Sequence, residues 1–265
     1  MRISAVVLLI LFIVAIANAK PIVVVVIDSG YSGPSKKLCT EGHYDAVADV
    51  RAIGADEIGH GTKIVETIEA NAGDTRNEYC MIVIKVFGAA TDGKSFYRAY
   101  QYLMMLKPDI VNMSYATSQK ESHKNDLLIE EAAIRHLTTL GSVFFIAAGN
   151  VSRHEDIDFR NLDQRCHVFP ACSAAVIKRN VYVVGGTISK YVKVIHPQSF
   201  RGKLVSLWRP FCNEDLSFCG TSYSTAVASG EAIENYFRRK LPPKRCEEYV
   251  ATTRREEEQK CSKRK

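Results

Sequence analysis

The sequence predicts an α/β protein: a three-layer α/β/α sandwich around a mainly parallel central sheet. Three observations predict it. Short β-branched runs, apolar almost without interruption, recur along the chain. Strands apolar on both faces belong in a parallel sheet covered on both sides. Between them lie segments with apolar residues at helical spacing, and strand–helix alternation implies right-handed crossovers that lay helices on those faces. The length, 265 residues, suits one domain with a sizeable core and is too short for two large ones.

The elements follow in order. Arg2 precedes an apolar run from Ile3 to Ala17, which ends at Ala17-Asn18-Ala19, a small-x-small cleavage pattern. This reads as a secretory signal peptide over residues 1–19. The run is shorter than the ~20 residues of a spanning helix, so no membrane contact is expected beyond the signal, and the mature chain is expected to be secreted or extracytoplasmic. Ile22 to Ile27 is the first strand. Ile64, Val65 and Ile68 form one face of a helix starting near His60. The strand from Met81 to Val86 is followed by a helix carrying Tyr97, Tyr100, Leu103 and Met104. Ile110-Val111 is a strand, and Leu127, Leu128, Ala132, Ile134 and Leu137 mark the next helix. Val143 to Ile146 and Val181 to Val184 are further strands. The segment Gly220 to Gly230 is a helix rich in small residues, which lets it pass close to the sheet. Leu241-Pro242-Pro243 is a break. The chain thus divides into the signal, one domain over 20–237, and a charged C-terminal tail over 238–265.

The formal charge is +6, and the tail alone holds 11 basic and 5 acidic residues. The body of the chain is therefore close to neutral. Phosphate binding needs a basic patch on the fold itself, so nucleic acid is not an expected partner. All eight cysteines follow the signal, and an even number in an exported chain favours disulfides. Cys166 with Cys172, and Cys212 with Cys219, are short-loop candidates. Spacing alone leaves the connectivity open.

In open α/β sheets, chemistry gathers at the carboxyl ends of the strands. Asp28 ends the first strand, in Val26-Ile27-Asp28-Ser29-Gly30. His60 opens a helix, in Gly59-His60-Gly61-Thr62; Gly61 lets another backbone or a substrate approach the ring. The other six histidines, His43, His123, His136, His154, His167 and His196, have no comparable setting. Ser222 opens the small-residue helix, in Gly220-Thr221-Ser222, where the helix amino end adds partial positive charge. A serine hydroxyl is a poor nucleophile until a base takes its proton, and an imidazole base needs a carboxylate to fix its tautomer. No His-Glu-x-x-His pattern is present, which disfavours a zinc protease.

These segments resemble the three signature motifs of the subtilisin-like serine peptidases, and the order Asp–His–Ser is the subtilisin order. A fourth segment, Phe145-Ile146-Ala147-Ala148-Gly149-Asn150, resembles the family's strand ending in the oxyanion asparagine. A fifth, Val111 to Thr117, resembles its substrate-binding strand, to which an extended peptide adds as a further strand. The likeness covers roughly Ile22 to Glu234. It implies a subtilisin-like catalytic domain over 20–237, with Asp28, His60 and Ser222 as triad and Asn150 as oxyanion donor. Ser114, Tyr115 and Ala116 would contact substrate.

The resemblance implies a secreted serine endopeptidase acting on proteins or peptides through an acyl-enzyme, as a monomer, with no cofactor and no metal. Some residues depart from the family pattern. Ala116 and Thr117 stand where glycines are common, narrowing the space for substrate; Ala226 replaces a usual proline, and Lys63 a usual histidine. The first strand begins almost directly after the cleavage pattern, at Lys20-Pro21, so the sequence predicts no propeptide of the usual kind. The alternatives are a catalytically silent subtilisin-like fold that acts as an extracellular binding protein, and a hydrolase of esters or other acyl groups.

Overall fold

The computed structural model describes residues 21–73, 79–88, 94–118, 124–151, 160–177 and 179–237; the expected signal at 1–19 and the expected tail at 238–265 lie outside them. Seven strands form the main sheet: β1 (Ile22–Asp28), β2 (Tyr44–Asp45), β3 (Tyr79–Lys85), β4 (Ile110–Met113), β6 (Val143–Ala147), β8 (Val181–Thr187) and β9 (Val205–Pro210). Their spatial order is β2-β3-β1-β4-β6-β8-β9, and every pairing in the sheet is parallel. Two short strands, β5 (Thr117–Ser118) and β7 (Val168–Phe169), pair antiparallel beside it. The helices are α1 (His60–Asn71), α2 (Ser95–Leu106), α3 (Lys124–Thr139) and α4 (Thr221–Phe237), with a 3₁₀ turn at Ala171–Ala175.

The strand pattern decides which helix covers which face. Successive side chains of a strand point to opposite faces. Along β1, Val24 and Val26 join Ile64, Val65 and Ile68 of α1 and Ala226, Ala232 and Ile233 of α4. Val25 and Ile27 join Tyr100 and Leu103 of α2 and Ala133, Ile134 and Leu137 of α3 on the other side. Both sides of β1 are therefore dry, which is the three-layer arrangement. Two helical faces sit differently from the sequence pattern. Tyr97 is largely exposed, and on α3 Leu128 and Ala132 face outward while Ala133 turns in. Exposed apolar residues at helical spacing blur the stripe, and packing against the sheet decides the register.

The small residues of α4 do bring it close to its neighbours. A Cβ at Gly230 would lie 2.6 Å from the Ile68 carbonyl oxygen of α1, so glycine is required at this helix crossing. Ser229 accepts a hydrogen bond from Asn112 Nδ2 of β4 at 2.9 Å, tying α4 to the middle of the sheet.

The crossovers from β1 and from β4 run in opposite directions: β1 leads through α1 to β3, and β4 leads through α3 to β6. This reversal opens a crevice at the carboxyl ends of β1 and β4. Asp28 is the last residue of β1, and Ser114 follows β4 directly.

Candidate active site

Asp28 is fully buried. Its Oδ1 accepts hydrogen bonds from the Ser29 N–H (2.8 Å) and, with the imidazole as donor, from His60 Nδ1 (2.7 Å). Its Oδ2 is buried without a hydrogen-bond partner. A buried carboxylate oxygen costs free energy when left unpaired, and the nearby imidazole offsets that cost best when it carries charge. The Asp28 contact also fixes the tautomer of the neutral ring, since Nδ1 holds the proton and Nε2 keeps its lone pair.

His60 is placed by the start of α1. A Cβ on Gly61 would collide with the Gly30 carbonyl oxygen; glycine here lets the helix start lie against the loop after β1, and so brings His60 to Asp28. Asp56 fastens the same turn. Its Oδ1 accepts from the Gly59 N–H (2.8 Å) and the Ser29 hydroxyl (2.8 Å). Its Oδ2 accepts from the Thr62 N–H and the Thr62 hydroxyl, both at 2.7 Å. Burial works to raise the Asp56 pKa, but the Thr62, Ser29 and Gly59 donors outweigh it, and the carboxyl lies below its usual range. Lys85, buried at the end of β3, donates to the Ala55 carbonyl (2.8 Å) beside this turn. Burial lowers the His60 pKa, while the Asp28 hydrogen bond and charge, with Asp56, raise it more; Lys63 opposes them. The net direction is up.

Ser222 lies in the first turn of α4. Its hydroxyl donates to the Ser114 backbone carbonyl at 2.7 Å, and the Ser114 hydroxyl donates to the Ser222 carbonyl at 3.1 Å. Phe218 stands between the two halves of the site. Its ring meets His60 edge to face with centroids 5.7 Å apart, and Tyr223 at 5.8 Å.

Asn150 follows β6 by the span of Ala148 and Gly149. Its Oδ1 accepts from the Thr221 N–H (2.8 Å) and the Thr221 hydroxyl (3.0 Å). A backbone N–H can only donate, so this contact assigns the oxygen and leaves Nδ2 as the outward donor. That nitrogen lies 3.1 Å from where a Gly220 Cβ would sit.

Of the residues expected to contact substrate, Ser114 is buried and Ala116 exposed. Tyr115 is turned inward: its ring packs on Phe87 and Phe96, and its hydroxyl meets that of Tyr100 at 2.5 Å. Tyr100 also donates to the buried Glu130. Burial pushes both tyrosine pKa values well up, with Glu130 adding to it.

The structure thus joins Asp28 to His60, Ser222 to Ser114, and Asn150 to Thr221 beside Ser222, at the carboxyl ends of β1, β4 and β6. Sequence reasoning passed over Asp56 and Phe218. Asp56 carried a signal, an acidic residue just before a helix start, where it can accept free N–H groups. Phe218 carried none, because its contact with His60 depends on a distant loop. His43 is structural, with Val83 N–H donating to Nδ1 and Cys39 carbonyl accepting from Nε2. His123 and His154 lie outside the described residues. The structure joins Cys166 to Cys172, Cys212 to Cys219, and Cys39 to Cys80; Cys246 and Cys261 lie outside the described residues. Among the described residues no cluster of metal-binding side chains occurs, and no helix is long and apolar enough to cross a membrane.

The family model of the Subtilase family matches residues 19–234. No curated protein matches the sequence. Among solved structures the fold is similar to that of a lanthipeptide protease, with TM-score 0.64 and 16% identity over 87% of this chain and 79% of that one. It is similar to a cold adapted subtilisin-like serine proteinase, with TM-score 0.62 and 19% identity over 84% and 78%. It is also similar to the nisin leader peptidase NisP from Lactococcus lactis, with TM-score 0.58 and 18% identity over 84% and 81%. At these identities the structures share the fold, and it is the family match over most of the sequence that decides: the chain belongs to the subtilase family and is a serine-type peptidase.

Proposed function

We propose that the protein is a secreted endopeptidase that cleaves peptide bonds through an acyl-enzyme, with Asp28, His60 and Ser222 as its triad. The observation that carries this reading is the 2.7 Å hydrogen bond from His60 Nδ1 to the buried Asp28, in the crevice that Ser222 enters from α4. The Ser222 hydroxyl leaves the Ser114 carbonyl by rotation about χ1 and gives its proton to His60 Nε2 as it attacks the substrate carbonyl. Asp28 holds the tautomer and stabilises the imidazolium. Asn150 Nδ2 and the Ser222 N–H donate to the oxyanion. His60 then protonates the leaving amine, and water resolves the ester. Backbone groups of Ser114 to Ala116 pair with the extended substrate. Disulfides and the signal pattern at residues 1–19 support an exported protein.

The contact between the Ser222 hydroxyl and the Ser114 carbonyl favours a second reading, a silent fold that binds proteins without cutting them. A fluorophosphonate probe separates the two. Covalent labelling of Ser222, lost in Ser222→Ala, supports the peptidase; absence of labelling in folded, disulfide-intact protein leaves the binding role. A cleavage profile on a peptide library then defines specificity, and turnover of esters alone would point to the acyl-hydrolase reading instead.

A further inference from the structure

A histidine held by one hydrogen bond is only partly fixed. The Asp28 contact anchors Nδ1 and leaves the ring free to tilt about that anchor, which would carry Nε2 away from the serine. Something else must hold the ring. Phe218 is the aromatic neighbour of His60, at 5.7 Å between centroids and 78° between planes.

Phe218 is itself unusually well fixed for a loop residue. Its N–H donates to Asn213 Oδ1 at 2.9 Å, and its carbonyl accepts from the Asn213 N–H at 3.0 Å. The turn is closed by the Cys212–Cys219 disulfide, and the Gly220 N–H donates to the Phe211 carbonyl at 2.7 Å just outside it. The ring packs on Tyr223, next to Ser222. Lys63 places its ammonium 5.5 Å from the Phe218 ring centre, within reach of a cation–π contact. Lys63 is one turn along α1 from His60, so Phe218 is held by the two helices that carry His60 and Ser222.

We propose that Phe218, locked by the Cys212–Cys219 turn and capped by Lys63, is a positioning residue that holds the His60 imidazole in register with Ser222. This rests on the triad reading for its catalytic consequence, though not for its structural one. The charged groups facing His60 are Asp28 from β1, Asp56 from the loop before α1, and Lys63 on α1 itself. On the disulfide turn, Glu214 and Asp215 act on Tyr223. Phe218 adds no charge, and its contact with the imidazole should keep water from that side of the ring. Removing it lets water reach the imidazolium, so the His60 titration should move up. Lys63→Gln should move it the same way by removing a like charge.

The test has two readouts. In the Ser222→Ala background, the His60 ring is titrated by NMR in the full secreted chain, with Phe218, Phe218→Ala, Phe218→Leu or Phe218→Tyr. The expected result is an upward shift for Ala and Leu and a return towards the parent value for Tyr. An unchanged midpoint in Phe218→Ala overturns the proposal, whatever the protein's activity. In the Ser222 enzyme, kcat on a peptide is measured above the acid limb. Phe218→Ala is expected to lose about tenfold to hundredfold, the scale of a small misplacement of a catalytic group. Phe218→Tyr is expected to recover most of it. A loss confined to KM overturns the proposal and makes Phe218 a wall of the substrate site. Cys212→Ser/Cys219→Ser should reproduce the NMR shift; if it does not, the disulfide is not the lock. Should the unsubstituted enzyme fail to label with a fluorophosphonate, the triad reading falls while the NMR arm still decides this one.

Discussion

Asn150 is aimed by its oxygen. Thr221 holds Oδ1 with two hydrogen bonds, so Nδ2 is presented without needing a partner of its own. Asn150→Ala should lower kcat by about 10²–10³ with little change in KM, because an oxyanion donor acts on the transition state. Steady-state kinetics on a cleaved peptide would check this, and a change in KM alone would remove Asn150 from that role. His60 gives a second prediction. Burial lowers its pKa, but the Asp28 hydrogen bond and charge raise it more, so it lies above the ordinary histidine value, and the base must be neutral to act. Activity should therefore rise with pH through an acid limb in kcat/KM that lies above this value. The same shift stabilises the fold at low pH, and that contribution fades as pH rises through the folded pKa. A rate flat from pH 5 to 8 would exclude His60 as the base. The positions of these residues were legible in the sequence, because Asp28 ends β1, His60 and Ser222 lie at helix starts, and Asn150 closely follows β6. The inward turn of Tyr115 was not legible, since it follows from Phe87, Phe96 and Tyr100, which lie on other elements.

At the scale of elements, the start of α1 is the joint on which the site depends. Gly59, the residue before the helix, has no side chain to accept hydrogen bonds, and Asp56 serves instead, from three residues upstream. Asp56→Ala should cost about 1–2 kcal/mol, the range of a lost helix cap, and should also lower activity by loosening His60. Urea unfolding beside kinetics separates the two effects, and a change in neither would show that Gly59 and Thr62 suffice. The pH dependence has a definite sign. Because the Thr62, Ser29 and Gly59 donors, against the effect of burial, depress the folded pKa of Asp56 below the usual carboxylate range, its stabilisation is present above the unfolded pKa and is lost as pH falls through the folded pKa. Gly61→Ala should be more harmful, because the new methyl group meets the Gly30 backbone and backbone cannot yield as a flexible side chain can. Helix α1 was plain from Ile64, Val65 and Ile68. The strand β9 was not, because Ser206, Arg209 and Pro210 break the apolar run that made β1, β3 and β6 visible.

For the whole molecule, the disulfides differ most in the length of chain they enclose. Cys166–Cys172 and Cys212–Cys219 close loops of 6 and 7 residues, while Cys39–Cys80 spans 41. Short spacing made the first two candidates in the sequence. The third was hidden because Cys39 meets Cys80 only after the β1–α1–β3 crossover has formed, which lays the segment before Cys39 against β3. There the Cys39 N–H donates to the Met81 carbonyl at 2.9 Å, and the Met81 N–H to the Lys37 carbonyl at 2.7 Å. In the chain-entropy picture the long loop contributes about 4 kcal/mol and each short one about 2. The 41-residue loop encloses Asp56, His60 and all of α1. Cys39→Ser/Cys80→Ser should therefore lower the unfolding free energy about twice as far as Cys166→Ser/Cys172→Ser. It should lower Tm by roughly 8–16 °C at 2–4 °C per kcal/mol for a chain of this size. Calorimetry and urea titration of the two double variants measure this directly. Equal losses from the short and the long loop would mean that local packing around the sulfurs, and not restriction of the unfolded chain, sets their contribution.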